Sequence, residues 1–164
     1  MTPFQALRPV LLLGPTLLVA ACSSWFGAPQ TTRDLGDRLQ TRLTPDITAG
    51  QVALERLPDG ARVTIVEQSL FPGGGAQLDD KGRAVITRLI QGLLAPNLLQ
   101  IEVADSAATP AALQGARAGA VTQYFSDYGL GSVVQTVAPA ETVPVGPAGS
   151  SLPGMTITVS LNAG

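Results

Sequence analysis

The chain has 164 residues, ten Lys+Arg against twelve Asp+Glu, a formal net charge of −2, no histidine and one cysteine. The absence of histidine excludes Ser-His-Asp and Cys-His catalysis and histidine metal sites. A lone cysteine excludes an intrachain disulfide and a multi-cysteine metal site, and the lack of a basic surplus argues against a nucleic-acid partner. The length fits one domain with a core of ordinary size.

Met1 to Ala21 carries one positive charge, Arg8, and then an apolar run from Val10 to Ala20 interrupted by Gly14, Pro15 and Thr16. The run is too short and too broken for a good transmembrane helix and has the layout of a secretory signal. Its end, Leu18-Val19-Ala20-Ala21-Cys22-Ser23, resembles the bacterial lipoprotein signal. That resemblance implies cleavage before Cys22 and acylation of its thiol, palmitate included, and Ser23 after the cysteine implies sorting to the outer membrane. More than one acyl chain makes such an anchor stable, at about 0.8 kcal/mol per buried methylene. The alternative is an ordinary signal peptide with an incidental cysteine. Ser23 to Thr32 then reads as a tether around Trp25 and Phe26.

Leu35, Leu39 and Leu43 recur every four residues and predict a short helix over 34–43, weakened by Gly36 and ended by Pro45. Residues 51–57 and 61–69 predict a β-hairpin around Pro58-Asp59-Gly60. In its second arm Val63, Ile65 and Glu67 fall on one side, Thr64 and Val66 on the other. Pro72-Gly73-Gly74-Gly75 reads as a flexible loop, because Ala76-Gln77-Leu78 lacks the lysine and hydroxyl of a phosphate cradle. Asp79 or Asp80 caps a helix to about Leu94, with Ile86, Leu89, Ile90 and Leu93 on its apolar face. Leu98–Ala104 and Ser132–Val137 read as strands, Ala138–Gly154 as a Pro- and Gly-rich loop, and Met155–Leu161 as the strand that closes the sheet.

Between them, Thr109–Gly129 predicts one amphipathic helix. Thr109 is its expected N-cap, Pro110 its first residue and Gly129 its left-handed C-cap. Leu113, Ala116, Ala120, Val121, Tyr124, Phe125 and Tyr128 form its apolar stripe. Arg117 lies beside that stripe, and two readings fit. Its stem packs at the core edge with the head in water, or its guanidinium is fixed on a carboxylate. The whole order, β-β-α-β-α-β-β, predicts an α/β (α+β) two-layer sandwich, a mixed sheet with two main helices on one face.

Three strings resemble the C-terminal OmpA-like domain, which binds peptidoglycan in the periplasm. They are Val63 to Leu78 (VTIVEQSLFPGGGAQL), Ile101-Glu102-Val103, and Leu113 to Val121 (LQGARAGAV), which is similar to the family's "L-S-x-x-R-A-x-A-V" helix. The resemblance spans roughly Val52 to Leu161. Together with the lipoprotein-signal resemblance it implies three segments: a lipoprotein signal at 1–21, a lipidated N-terminus, tether and short helix at 22–50, and an OmpA-like domain at 51–164. In the family an arginine pairs with the carboxylate of diaminopimelate and an aspartate with its ammonium, a charge-assisted and, for the arginine, two-pronged contact. Arg117 stands at the arginine position. The family's "G-H-T-D" loop is replaced by Ala104-Asp105-Ser106-Ala107-Ala108, which puts Ala108 at the aspartate position and leaves Asp105 as the carboxylate that a shifted loop could supply. The late "N-R-R-V" string is also absent.

Two functions follow from the resemblance. One is an outer-membrane lipoprotein whose periplasmic domain associates with peptidoglycan and links membrane to wall. The other is a degenerate OmpA-like domain that serves an envelope complex as a structural or protein-interaction part. An enzyme is the weakest reading, since no nucleophile–base pair can be assembled. No cofactor, metal or catalytic residue is expected; the site residues are Cys22 for lipid and Arg117 and Asp105 for ligand.

Overall fold

The computed structural model describes residues 31–93, 99–139 and 153–161. The signal segment, Cys22, the Trp25-Phe26 pair, Leu94 and residues 140–152 of the expected loop lie outside them.

Helix α1 spans Thr32–Thr48. Thr31 and Asp34 form a capping box: the Thr31 hydroxyl accepts from the Asp34 N–H at 3.1 Å, and the Asp34 carboxylate accepts from the Thr31 N–H at 3.3 Å. The expected stop at Pro45 does not occur. Pro45 sits on the exposed side, where water can substitute for the hydrogen bond that its ring nitrogen cannot donate. Leu43 and Asp46, buried on either side of it, hold the last turn in place. Leu35, Leu39 and Leu43 enter the same core as Val52 and Ile65, so residues 32–48 fold with the sheet rather than leading up to it.

Strands β1 (Val52–Leu57) and β2 (Gly60–Val66) make the expected antiparallel hairpin, closed by the Leu57–Gly60 pair. Alternation alone predicts that the second arm runs on as strand to residue 69. Instead the backbone turns after Val66 into a four-residue helix, α2 (Glu67–Leu70). Continued alternation would send Leu70 and Phe71 to opposite faces; the turn buries both. Helix α3 (Asp80–Gly92) begins on the Asp79 cap, whose carboxylate accepts from the Gly82 N–H at 2.7 Å. It presents Val85, Ile86 and Leu89 to the core.

Strand β3 (Leu99–Ala104) leads to α4 (Ala111–Phe125), a π-helical turn over Ser126–Leu130, and β4 (Val134–Thr136). Gly129 takes the expected left-handed conformation, φ 82°, inside that turn. The buried face of α4 is Arg117, Ala118, Val121 and Phe125. It is rotated from the expected stripe, so that Ala116 and Tyr128 are exposed.

Strand β5 (Gly154–Leu161) pairs antiparallel with both β2 and β3, giving the order β1-β2-β5-β3-β4 with β3 and β4 parallel. The expected closing strand thus fills the middle of the sheet. Its register aligns Val63, Ile157 and Val103 across three strands, and these residues share one core with all three long helices. The helical layer therefore holds α1 as well as the two helices expected. Arg62, Thr158 and Glu102 alternate onto the other face.

Candidate functional site

The ends of β2 and β3 and the first half of α4 meet at one corner of the sheet. Arg117, on the core side of α4, is 1% exposed. Its Nη1 donates to the Glu67 carboxylate, its Nε to the Gly75 carbonyl at 2.8 Å and its Nη2 to the Gly74 carbonyl at 2.7 Å. The guanidinium carbon lies 5.1 Å from the centre of the Phe71 ring, a distance at which the ring face attracts a cation. Of the two readings of Arg117, the fixed guanidinium is the one found, and the carboxylate it holds belongs to the chain itself. A buried charge needs such partners, because leaving water costs several kcal/mol per ion.

Asp105 closes β3 and is 3% exposed. Its Oδ1 accepts from the Ser106 N–H at 2.8 Å and the Thr109 hydroxyl at 3.1 Å, while Oδ2 is buried with no hydrogen-bond partner among the described residues. Burial pushes its carboxyl above the ordinary aspartate value, opposed by the Ser106 and Thr109 bonds and by the Arg117 charge, and reinforced by the Glu67 charge. Asp105 and Arg117 therefore lie in one cluster without bonding each other. Thr109 stands between Asp105 and the Arg117 partner Glu67: its hydroxyl also lies 3.4 Å from Glu67 Oε2. Thr109 is not the cap of α4 that was expected; Pro110 holds that position and no side chain caps it. Ala108 contributes its N–H to the Ser106 hydroxyl at 3.1 Å.

A pocket of about 290 Å³ lined by Val66, Glu67, Gln68, Phe71, Pro72, Gly74 and Pro153 adjoins the cluster and shares with it three of the groups that hold Arg117. A larger cleft of about 590 Å³ at Gln51, Gln68, Lys81 and Arg88 includes neither Arg117 nor Asp105. No group of three or more His, Cys, Asp or Glu side chains suited to a metal ion occurs among the described residues.

Glu67, Thr109 and the Gly74-Gly75 carbonyls were not singled out from the sequence as site groups. For Glu67 a signal existed: alternation puts it on the side of Val63 and Ile65, and a carboxylate on an apolar face requires a partner.

The β1-β2-β5-β3-β4 sheet with its helical layer has the OmpA-like fold. Within that class the chain is similar to the cell wall anchor of the type VI secretion system from Pseudomonas aeruginosa. The two are 25% identical with a TM-score of 0.61, over 77% of this chain and 99% of that one. It shares its fold with the periplasmic domain of Helicobacter pylori MotB, at 20% identity and a TM-score of 0.54, over 68% of this chain and 80% of that one. No protein-family model matches the sequence. Among curated proteins, Cell death abnormality protein 12 of Caenorhabditis briggsae is 29% identical over 87 residues, 52% of this chain and 12% of that protein. This chain therefore spans only a small part of that relative's length.

Proposed function

We propose that the protein is an outer-membrane lipoprotein, anchored through Cys22, whose OmpA-like domain associates non-covalently with peptidoglycan and ties membrane to wall. The observation that carries this reading is the Arg117 site: a buried guanidinium on α4, at the family position, with a carboxylate in its grasp and a pocket alongside. The same chemistry suits the free end of a diaminopimelate residue, whose carboxylate would go to Arg117 and whose ammonium would go to Asp105, the group with an oxygen unpartnered among the described residues. The similarity to a cell wall anchor across nearly the whole of that chain supports it.

A second reading has its own observation. Each of the three Arg117 nitrogens already donates one hydrogen bond inside the chain, which suits a domain that has given up the ligand and serves as a structural or protein-interaction part of an envelope complex.

Sedimentation with purified, diaminopimelate-containing peptidoglycan separates the two. Wall association predicts that the wild type co-sediments and that free diaminopimelate competes; a wild type that stays in the supernatant favours the interaction part. Mass spectrometry of the membrane fraction tests the anchor. A diacylglycerol adduct on an N-terminal Cys22 is expected, and a soluble chain that starts elsewhere would refute it.

A further inference from the structure

Three features of the Arg117 corner are unusual together. The guanidinium is held by a glutamate from a different element, fifty positions earlier in the sequence. That glutamate is the first residue of α2, a helix of only four residues whose start has no side-chain cap. Its side chain is 22% exposed against 2% for Arg117, and it forms part of the wall of the adjoining pocket. Glu67 is thus the one side chain among the three groups bonded to Arg117, and a rotamer change frees it without moving the backbone; the other two are backbone carbonyls.

From this we infer that Glu67 sets the specificity of the site by standing in for the ligand carboxylate. The inference rests on the wall-binding reading above. An incoming carboxylate takes the place of Glu67 on Arg117, and the Glu67 side chain turns into the pocket beside Gln68 and Pro153. The corner then holds three carboxylates, those of the ligand, Glu67 and Asp105, around one guanidinium. A ligand that brings only a carboxylate meets this excess of negative charge. A ligand whose carboxylate and ammonium sit on one carbon offsets it, because the ammonium faces the displaced Glu67 and the unpartnered Asp105 oxygen. Like charge without compensation at a desolvated site is strongly unfavourable. The selectivity is therefore for a zwitterionic end over a simple acid, and Glu67 is a positioning residue that enforces it.

The test compares two probes on the full-length chain in detergent. One is the N-acetylated tripeptide L-alanyl-γ-D-glutamyl-meso-diaminopimelate, whose diaminopimelate ammonium is free, and the other is the same peptide with that ammonium acetylated as well. Calorimetry on the wild type should give at least tenfold tighter binding of the free peptide, about 1.4 kcal/mol. In Glu67→Gln both peptides should bind more tightly, the doubly acetylated one gaining most, so that the ratio falls to about threefold or less. A Glu67→Gln variant that keeps the wild-type ratio overturns the role of Glu67 and leaves wall binding standing. Failure of the free peptide to bind either form removes both. If the variant does not fold, the wild type decides by NMR. The carboxyl carbon of Glu67 and the Nε of Arg117 should shift together on titration with the free peptide. An Arg117 signal that moves while Glu67 stays still refutes the displacement.

Discussion

Arg88 on α3 forks the buried carboxylate of Asp46 on α1, with Nε 2.8 Å from one oxygen and Nη2 2.6 Å from the other. The Asp46 bond, ahead of the weaker opposing effect of burial, raises the affinity of Arg88 for its proton. The clamp fixes the turn of α1 that follows Pro45, which explains how a helix survives a proline three residues before its end. Removing the arginine leaves Asp46 buried and unpaired. Hydrogen bonds to charged groups contribute about 1.5–3 kcal/mol each, reduced here because the Arg88 head reaches water. Arg88→Ala should therefore lower stability by about 2 kcal/mol in urea unfolding, and Arg88→Lys by less. An unchanged midpoint would show that α1 is held by its leucines alone.

Arg117 offers a stability prediction apart from any ligand. A surface arginine could be truncated with little effect, whereas this one closes a buried pair and binds the Gly74-Gly75 turn. Breaking a buried pair from one side costs roughly 3–5 kcal/mol. Arg117→Ala should lose about that much, while Glu67→Leu combined with Arg117→Met should recover at least half of it, because no uncompensated charge remains. The double-mutant cycle in urea measures the coupling. Additive losses would mean that the two side chains act independently.

Asp105 predicts the sign of a pH dependence. Its carboxyl is raised above its ordinary value of 3.8, chiefly by burial. For an acid whose folded value exceeds the unfolded one, the folded state binds the proton more tightly. The stabilising contribution is thus complete below the unfolded value and is lost as pH rises through the folded value. Asp105→Asn should flatten the fall in stability as pH rises above about 4, measured by denaturant midpoints in matched buffers. A wild-type curve that rises over that window, with the same rise in the variant, would contradict this.

Gly82 marks the contact that sets the angle of α2. A Cβ there would lie 2.7 Å from the Leu70 carbonyl oxygen, whereas one on Gly73 would meet nothing within 4 Å. Overpacking of this kind costs typically about 1–3 kcal/mol. Gly82→Ala should lower the unfolding midpoint and disturb Glu67, while Gly73→Ala leaves the midpoint unchanged within error. Equal effects at the two positions would rule out a close approach of α2 and α3.

Much of this architecture was legible in the order of the residues. The Pro58-Asp59-Gly60 hairpin, the Asp79 cap, the Leu35-Leu39-Leu43 face and the alternation of Met155–Leu161 each report a local rule, and the structure obeys them. What escaped depended on distant partners. Pro45 stops an isolated helix but not one clamped through Asp46 to Arg88. Val63, Ile65 and Glu67 looked like one strand because nothing nearby reveals that Leu70 and Phe71 must both turn inward. Thr109 had the chemistry of a cap and was drawn instead to Asp105 and Glu67, groups four and forty-two positions away. The Arg117 partner lies on an element that alternation alone did not predict.

The last strand in sequence is the middle strand in space, and this constrains how the chain reaches its folded form. Until β5 docks, the β1-β2 hairpin and the β3-β4 pair have no hydrogen bonds between them; β5 supplies the ladder on both sides. Its partners lie far back along the chain, and closing such long loops before any pairing is gained slows folding. A growing polypeptide that has emerged only as far as β4 carries two unfinished sheet fragments with open edges. The joined sheet, and with it the corner where β2 and β3 bring Glu67 and Asp105 together, is completed only after the final strand has been delivered.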